Sequence, residues 1–412
     1  MNDIVIIGGG IAGLYAYYHL LNENKNMKIQ LFEKENYFGG RIKTVVKKIN
    51  GKKYQYEAGA GRLNKNHHLF LHLIKELNLT KDLVQISGDS VFRPTPSFRL
   101  ADKFPNKNAY YFIDKVIKAS KKESKRLLIS MTFKKYASTI LTKDELYFML
   151  SSSGYYGELV FENAFDAVKI FREGIRNDLF YYILKNGFSS VIKELVKRIR
   201  AKGGKLHLHS ELESITKNEE EYMLKINGEN VKTKKLLLAL PKPALMKLRY
   251  LRNYRTDLES IRCKELCRIY SIFPDVWFQD VPKTTTNNNL RFIIPVDKKN
   301  GLIMSSYTDS KYALYWKQFR ENPSGLKREL LLELKEIFPD VTDSTYNVMC
   351  YWGCGVGYWK ENSNSERLSK KVLHLEKDLF IIGENYSTNQ GWIEGALETV
   401  HRFIKKLNLS KI

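Results

Sequence analysis

A glycine-rich turn near the start of the chain, within DIVIIGGGIAGLYAYYHLL, is the feature that most restricts the fold. Residues 4–7 form a short β-branched run typical of a buried parallel strand, and residues 14–21 are typical of a following helix. In the GxGxxG pattern between them, Gly8 permits the tight turn, Gly10 lets a pyrophosphate approach the backbone, and Gly13 lets the helix pack on the strand. The segment therefore predicts the start of a dinucleotide-binding α/β unit.

An acidic residue stands at the distance that such a unit requires. The stretch MKIQLFEK is typical of a second strand, and Glu33 ends it, 20 residues after Gly13. A carboxylate there can accept hydrogen bonds from both ribose hydroxyls of an adenosine and would repel a 2′-phosphate, which argues against NADP. The strand, the helix and Glu33 together favour a bound dinucleotide over a turn without a ligand.

Two further glycine-containing segments distinguish between dinucleotides. Gly39-Gly40-Arg41 follows Glu33 closely, and its guanidinium can pair with a pyrophosphate through two hydrogen bonds. The segment YEAGAGRL, residues 56–63, places two glycines in a short loop, which permits close approach of a flat ring. A simple NAD-binding unit has no need of either segment, so the sequence favours a flavin dinucleotide, FAD.

Four separated blocks, IGGGIAGL, FEKENYFGGRI, YEAGAGRL and GEN…GWIEGALE, lie towards the two ends of the chain. With these blocks in this order, the sequence resembles the flavin-dependent amine oxidase superfamily, which includes monoamine, polyamine and L-amino-acid oxidases. The resemblance implies an α/β fold, in which a Rossmann-like FAD-binding domain of the glutathione-reductase type carries an inserted α+β substrate domain.

The resemblance also implies cofactor contacts along these blocks. In relatives, the acid at the position of Glu384 lies near the ribityl and pyrophosphate part of FAD, and backbone near the position of Leu212 meets the adenine. The helix start at Ile393 would face the N1–C2=O edge of the flavin, where its N–H groups stabilise the charge gained on reduction. The expected cofactor-binding residues are Gly8, Gly10, Ile11, Ala12, Gly13, Glu33, Lys34, Gly40, Arg41, Gly59, Ala60, Gly61, Arg62, Leu212, Gly383, Glu384, Trp392, Ile393 and Ala396.

Aromatic residues near the carboxyl end are candidates for the substrate site. Two aromatic walls commonly hold the amine in relatives; Trp392 matches one, and Tyr358 and Trp359 fall where the other would be. Core packing is the alternative for these side chains. Some relatives attach FAD through a cysteine in this region, but an alignment on Gly357 puts Tyr358 at that place rather than Cys354, so we expect noncovalent FAD.

Two arginines complete the expected catalytic set of Arg268, Trp392, Trp359 and Arg62. Many relatives carry a lysine that holds a water near flavin N5, and an alignment on Trp277 places Arg268 there. Arginine cannot be deprotonated, which questions reactivity with oxygen; the alternative is a displaced Arg268 in an ion pair. Arg62, in GAGRL, resembles the arginine that clamps the substrate carboxylate in L-amino-acid oxidases. Its alternative is a pairing with FAD or with an internal acid.

The middle of the chain contains patterns expected in the rest of the FAD-binding domain. Residues 191–199 predict an amphipathic helix that ends at Gly203-Gly204, followed by a short strand over residues 205–209. Asn227-Gly228 predicts a hairpin turn, and residues 236–240 predict a buried strand.

By position, the motif-poor segments between these patterns are assigned to substrate binding. We expect residues 1–83, 185–257 and 372–412 to form the FAD-binding domain, and residues 84–184 and 258–371 to form the substrate-binding domain.

The chain is strongly basic, with a formal net charge of +23. Such a charge attracts nucleic acid, anionic membranes or acidic partners, but it also describes a lysine-rich solvated surface. The densest basic stretch, residues 115–135, predicts a basic helix without any nucleic-acid-binding motif. We therefore expect no nucleic-acid partner.

The four cysteines form two pairs, Cys263 with Cys267 and Cys350 with Cys354, each with three intervening residues. This spacing differs from the usual zinc motifs, so we expect no metal site and buried free thiols in a reducing compartment. No signal peptide precedes the first strand, and no apolar run reaches ~18 residues. These features predict a soluble cytoplasmic protein.

The resulting functional hypothesis is an FAD-dependent oxidoreductase that converts a primary or secondary amine or an L-amino acid to an imine, with O2 reduced to H2O2. In such enzymes the cofactor performs the chemistry, while the protein supplies binding, orientation and electrostatics. One alternative is a related flavoprotein that desaturates a C–C bond of a carotenoid or porphyrinogen. Another is a flavin-bearing binding protein whose catalysis is lost through Arg268. The sequence determines neither the substrate nor the oligomeric state.

Overall fold

The computed structural model describes residues 1–176 and 179–409. Its strands are β1 (Asn2–Ile7), β2 (Ile29–Phe32), β3 (Thr44–Ile49), β4 (Lys52–Glu57), β5 (Leu63–Asn64), β6 (Leu83–Ser87), β7 (Val91–Phe92), β8 (Phe180–Leu184), β9 (Lys205–His207), β10 (Leu212–Lys217), β11 (Tyr222–Ile226), β12 (Glu229–Leu238), β13 (Ile261–Ile272), β14 (Thr284–Thr285), β15 (Phe292–Asp297), β16 (Leu302–Asp309), β17 (Tyr346–Trp359), β18 (His374–Glu376) and β19 (Leu379–Ile381).

The helices alternate with these strands at both ends of the chain and cluster between β7 and β8. They are α1 (Ile11–Glu23), α2 (His68–Glu76), α3 (Leu100–Lys103), α4 (Ala109–Ser120), α5 (Lys125–Ile129), α6 (Phe133–Ala137), α7 (Lys143–Ser152), α8 (Tyr156–Val160), α9 (Ala164–Glu173), α10 (Ser189–Ala201), α11 (Lys242–Lys247), α12 (Arg255–Leu258), α13 (Ser310–Lys317), α14 (Pro323–Lys335), α15 (Ser365–Leu373) and α16 (Ile393–Leu409). Among the residues described, no helix combines the length and apolar character needed to cross a membrane.

Parallel strands β9, β2, β1, β12 and β19 form the centre of the larger sheet, and β10 and β11 extend it as an antiparallel meander. Ile4 and Ile6 of β1 face a core that includes α1, α10 and α16, whereas Val5 and Ile7 face a second core on the other side. Because both faces are covered, the central strand is continuously apolar, as the sequence predicts. The arrangement confirms the Rossmann-like α/β fold.

Two predicted local features of this sheet are confirmed. After α10, Gly204 donates to the carbonyl of Ile199 and Gly203 donates to that of Arg200, which is the Schellman ending expected of a glycine pair. Asn227 and Gly228 both have positive φ values, of 48° and 82°, and connect β11 to β12 as a tight hairpin.

The prediction of one basic helix over residues 115–135 is wrong. The structure divides this stretch among α4, α5 and α6. The hydroxyl of Ser124 accepts from the backbone of Leu127, and that of Thr132 accepts from Lys135. Each hydroxyl therefore caps a new helix start, which the count of basic residues does not show.

A second sheet, in the order β17-β13-β16-β15-β14-β7, carries much of the inserted part of the chain. The long strands β13 and β17 pair antiparallel, with Arg268 opposite Cys350. Aromatic side chains from helices α4 to α9 pack together with Phe292 of β15 in one apolar cluster. The residues of the candidate active site lie between the sheet and this helical cluster.

The expectation that all the cysteines are free thiols is wrong for one pair. Cys263 of β13 and Cys354 of β17 form a disulfide with an S–S distance of 1.95 Å, while Cys267 and Cys350 are free. The antiparallel pairing of the two strands brings the first cysteine of one motif beside the second cysteine of the other. Spacing within each motif contains no information on this pairing across strands.

Candidate active site

The glycine turn after β1 has the geometry that a bound pyrophosphate requires. Gly8 has φ of 107°, and a Cβ there would lie 2.4 Å from the carbonyl oxygen of Ala239. A Cβ on Gly13 would lie 2.0 Å from the carbonyl oxygen of Gly8, so only glycine allows α1 to approach the strand. By contrast, a Cβ on Gly10 would have no atom within 4 Å. Gly10 thus faces open space at the start of α1, where a phosphate would bind.

The start of α1 and the carboxylate of Glu33 lie on either side of this space. Gly10, which precedes α1, provides no side-chain cap, and the first turn contains no acid, so its N–H groups are available to an anion. Glu33 accepts hydrogen bonds from the backbone of Gly9 at 2.7 Å and of Glu35 at 2.9 Å, which fix the carboxylate at the end of β2. Lys34, in contrast, is exposed and pairs with Glu35 at 3.3 Å.

The buried carboxylate of Glu384 connects residues from the two ends of the sequence. Glu384 lies 2.8 Å from the guanidinium of Arg41 and also accepts from the backbone of Gly391 at 2.7 Å. Arg41 also donates a hydrogen bond to the carbonyl of Gly355 at 2.9 Å. The GGR segment and the carboxyl-terminal GEN segment, which are separated by more than three hundred residues, are thereby brought to one place.

The YEAGAG loop continues the same surface. A Cβ on Gly59 would lie 1.9 Å from the carbonyl oxygen of Arg41, and Ala60 donates to that oxygen at 2.9 Å. On the other side, a Cβ on Gly61 would lie 3.1 Å from the guanidinium of Arg268. The loop therefore lies between Arg41 and Arg268, and only small residues fit at its two glycine positions.

Helix α16 begins where the sequence predicts, at Ile393. The carboxylate of Glu394 accepts from the backbone of Leu69 and Phe70, both at 2.9 Å, and so fixes the start of α16 against the start of α2. Near it, a Cβ on Gly383 would have no atom within 4 Å.

For the remaining predicted cofactor residues, the structure gives less direct evidence of a role in binding. Ile11, Ala12 and Ala396 are buried against the core, and Gly40 lies with its Cβ position 3.5 Å from Gly10. Leu212 lies at the start of β10, paired with Ile226.

Arg62 is held by aromatic rings rather than by an acid. Its guanidinium carbon lies 4.0 Å from the ring centre of Tyr181, 5.7 Å from that of Trp392 and 5.8 Å from that of Tyr155. It also donates to the Tyr155 hydroxyl. None of the ion pairs found between described residues includes Arg62, so the structure gives no support to an internal acid as its partner.

Arg268 has a similar environment on β13. It donates to the carbonyl of Glu57 at 3.0 Å, and its guanidinium carbon lies 4.8 Å from the ring centre of Tyr307. Its Nε is buried without a hydrogen-bond partner. Within residues 1–176 and 179–409 it enters no ion pair, contrary to the alternative that it is displaced into one. Arg268 instead faces the same aromatic region as Arg62.

The predicted aromatic walls lie in different environments. Trp392 lies against His67, with ring centres 4.6 Å apart, and beside Arg62. Trp359 is only 1% exposed and donates its indole N–H to the carbonyl of Ser387 at 2.9 Å, within a core cluster. Because its indole group is satisfied and enclosed, the structure supports the core-packing alternative for Trp359, and the prediction of a substrate wall there is not supported.

Several residues near Arg62 and Arg268 have no motif and were missed by the sequence analysis. Tyr155, Phe292 and Tyr307 form a contiguous aromatic group, with the Tyr155 and Phe292 ring centres 4.9 Å apart. Glu158 and Asp309 are buried beside it; burial, together with their mutual repulsion, raises the pKa of Glu158. These residues come from α8, β15, β16 and the loop before α8, so no local spacing could have revealed them.

The comparisons with known proteins agree with this geometry. The model of the family "Flavin containing amine oxidoreductase" matches residues 11–402. A triple mutant of putrescine oxidase has a similar structure, with a TM-score of 0.76 and 13% identity over 99% of both chains. A putative protoporphyrinogen oxidase from Exiguobacterium sp. 255-15 has a TM-score of 0.72 and 15% identity, again over 99% of both chains.

Similar sequences cover the chain unevenly. Achacin of Lissachatina fulica is 40% identical over 79 residues, which are 19% of this chain but only 14% of achacin. Protoporphyrinogen oxidase of Dictyostelium discoideum is 32% identical over 159 residues, 35% of this chain and 29% of that protein. An uncharacterized protein of Acanthamoeba polyphaga mimivirus is 21% identical over 98% of this chain and 93% of its own length.

The family match extends over nearly the whole chain, and the open glycine turn, Glu33 and the Arg41–Glu384 pair form a candidate dinucleotide site. The chain therefore belongs to the flavin containing amine oxidoreductases, and it is an oxidoreductase with FAD as its cofactor.

Proposed function

We propose that the protein oxidises an L-amino acid, or another amine that carries a carboxylate, to the corresponding imine, with O2 reduced to H2O2. The observation that carries this proposal is Arg62, a guanidinium enclosed by aromatic rings with no acid among the described ion pairs. A cation in such a place is costly unless an anion binds there. A carboxylate is the anion that a planar guanidinium binds best, through two parallel hydrogen bonds.

The chain's own residues position the substrate. Arg62 binds the carboxylate, and Trp392 and Tyr181 flank it, so the α-carbon is held at a fixed place in the cavity. FAD would supply the two-electron oxidation of the bond between the α-carbon and the nitrogen, and O2 together with two protons would take up the electrons as H2O2. The N–H groups at the start of α16 would stabilise the negative charge that the cofactor gains on reduction.

We also propose that FAD is held noncovalently. Cys354, the cysteine closest in sequence to the attachment position of some relatives, is bonded to Cys263. Tyr358, which stands at that position, is buried beside Gly157 on the substrate side of the protein. Neither side chain is available for a covalent bond to flavin. Heat denaturation followed by filtration should release all of the yellow cofactor, whereas cofactor that stays with the chain would contradict the proposal.

The predicted domain boundaries are retained as part of the proposal. Residues 84–184 and 258–371 are assigned to substrate binding because they contribute Tyr155, Phe292, Tyr307 and Arg268 to the cavity around Arg62.

The proposal is tested by anaerobic reduction of the holoprotein with matched substrate pairs, each an L-amino acid and the amine left after its decarboxylation. Phenylalanine with phenethylamine and ornithine with putrescine are suitable pairs. We expect bleaching of the flavin by one or more amino acids, and much slower bleaching by the matching amines. Faster reduction by putrescine or by phenethylamine than by the acids would overturn the proposed substrate class.

Desaturation of a carboxylate-bearing tetrapyrrole is the second candidate. It is favoured by the same Arg62, which suits a propionate, and by the similarity to protoporphyrinogen oxidases of 32% over 159 residues. Porphyrin fluorescence that develops from a porphyrinogen faster with the holoprotein than without it would favour this reaction. If neither class of substrate reduces the flavin, and Arg268→Lys also yields no peroxide with any amine, a flavin-bearing binding protein is favoured instead.

A further inference from the structure

Lys283 lies in the loop before β14 with its side chain directed into the protein. Its ammonium nitrogen donates to the carbonyl of Gly88 at 2.9 Å and lies 5.1 Å from the ring centre of Phe292. The side chain is surrounded by protein, yet part of its surface stays accessible, and the same holds for Arg62 and Arg268. The three cations are therefore enclosed by protein without being fully sealed from solvent.

Lys283 has no carboxylate within ion-pair distance among the described residues, although Asp89 is near enough to attract it. Among the described residues it takes part in no ion pair, and one backbone carbonyl uses only one of its three donors. Burial and the nearby charge of Arg62 together hold the pKa of Lys283 well below its usual range. Leaving a lysine in such a position is unfavourable, and a bound anion would remove the cost.

A continuous wall of rings connects Lys283 to the two arginines. Phe292 lies beside Lys283, and its ring centre is 4.9 Å from that of Tyr155, which contacts Arg62. In the other direction, Phe292 stacks on Tyr307 at 5.9 Å, and Tyr307 lies under Arg268. Arg62 and Arg268 are close to Trp392 and Gly61, respectively, which belong to the flavin-proximal blocks. Lys283 is therefore at the opposite end of the ring wall.

We propose that Lys283 binds a second carboxylate at the far end of the substrate, so that the substrate is a dicarboxylate whose apolar middle lies along Phe292 and Tyr155. This inference rests on the proposed binding of the first carboxylate by Arg62. An amino acid with an acidic side chain and a tetrapyrrole with several propionates share this chemistry. The amino acid is the source that the proposed reaction requires, because it carries the amine.

The test uses the FAD-loaded protein and follows binding of unreactive ligands by the change in the flavin absorbance spectrum. Glutarate is compared with butyrate. Butyrate has one carboxylate and the same three-carbon chain as glutarate, but it lacks the second carboxylate. We expect the wild type to bind glutarate at least tenfold more tightly than butyrate, and Lys283→Gln to lose that preference. Lys283→Arg should retain part of it, because the charge is kept, while Lys299→Gln, which changes an exposed lysine in the turn between β15 and β16, should retain all of it.

Two outcomes would overturn the inference: a wild type that prefers neither glutarate over butyrate nor free coproporphyrin over its methyl ester, or an undiminished preference in Lys283→Gln at unchanged flavin content. Coproporphyrin and its methyl ester form a second arm. Binding of the free acid alone, with dependence on Lys283 and without glutarate binding, would support the second carboxylate site and identify the tetrapyrrole as its source.

Kinetics separate this inference from the proposed function. In Lys283→Gln the KM for L-glutamate should rise about tenfold, while the KM for L-norvaline should stay within twofold of the wild type. If no amino acid reduces the flavin, the proposed reaction fails, but the glutarate titration still decides the role of Lys283. If neutral and acidic amino acids reduce the flavin equally well in both proteins, the reaction stands and the second carboxylate site is excluded.

Discussion

The candidate dinucleotide site and the proposed substrate site are assembled differently along the chain. The first consists of short sequence blocks in which glycines, one acid and a helix start are positioned by the backbone around β1, β2 and α16. The second collects side chains from α8, β13, β15 and β16 and from loops, and it contains large rings and cations that form no ion pair among the described residues. The candidate dinucleotide site consists of blocks that are recognisable in the sequence, although tertiary packing joins Arg41 to Glu384, whereas the proposed substrate site has no sequence motif. Each prediction below tests one side of that contrast.

The largest effect is expected at Gly13. Its Cβ in Gly13→Ala would lie 2.0 Å from the carbonyl oxygen of Gly8, and backbone must shift to relieve the overlap. We expect a loss of about 3 kcal/mol or more in the free energy of unfolding. Gly10→Ala is the matched control, since its Cβ meets no protein atom. The control should unfold like the wild type without cofactor, but it should bind FAD at least tenfold more weakly; equal stability of both variants would contradict this account.

The next effect concerns the disulfide, which joins β13 to β17 in the second sheet and lies close to Glu384. Cys263 and Cys354 are 91 residues apart in sequence, and both sulfurs lie 3.8 Å from the side-chain oxygen of Asn385. Closure of so long a loop restricts the unfolded chain, so the double variant Cys263→Ser, Cys354→Ser should lose roughly 3 kcal/mol of stability. Urea unfolding of the oxidised protein measures this difference. An unchanged midpoint, or two free thiols at these positions by mass spectrometry, would contradict it.

Arg62 should affect the substrate side alone. In Arg62→Met the aromatic rings keep an apolar neighbour, but the carboxylate loses its bidentate partner. We expect the KM for the best amino acid to rise by about 100-fold, equivalent to roughly 2.7 kcal/mol. The FAD content should remain that of the wild type. Loss of FAD together with activity would instead indicate that Arg62 binds the cofactor.

The smallest effect is a pH dependence at His67, which packs against Trp392. Burial, with a further contribution from Arg62, lowers the pKa of His67 to about 3. Since the unfolded chain binds this proton near pH 6.5 and the folded chain does not, stability should fall as the pH drops from about 6.5 towards 3. His67→Gln lacks this loss, so its stability relative to the wild type should improve by about 1 kcal/mol between pH 7.5 and pH 5.5. A constant difference across that range would exclude a neutral buried His67.

The sequence was sufficient for the α/β fold, the glycine turn, the end of α10 and the start of α16, because each is encoded by neighbouring residues. It was insufficient where residues distant in sequence decide the outcome. The pairing of β13 with β17 created the disulfide, and the capping hydroxyls of Ser124 and Thr132 divided the expected basic helix. Trp359 was expected to form a wall of the substrate site, but tertiary packing encloses it in a core. Lys283 carries no sequence signal at all.

The central claim, that Arg62 binds a substrate carboxylate in front of the flavin, is tested most directly by anaerobic stopped-flow reduction of the flavin in the wild type and in Arg62→Met. The best amino acid is compared with its amide, which keeps the amine and the side chain but lacks the negative charge. We predict that the wild type is reduced at least 100-fold more efficiently by the acid than by the amide, and that this ratio falls close to one in Arg62→Met. The same ratio in both proteins would contradict the account.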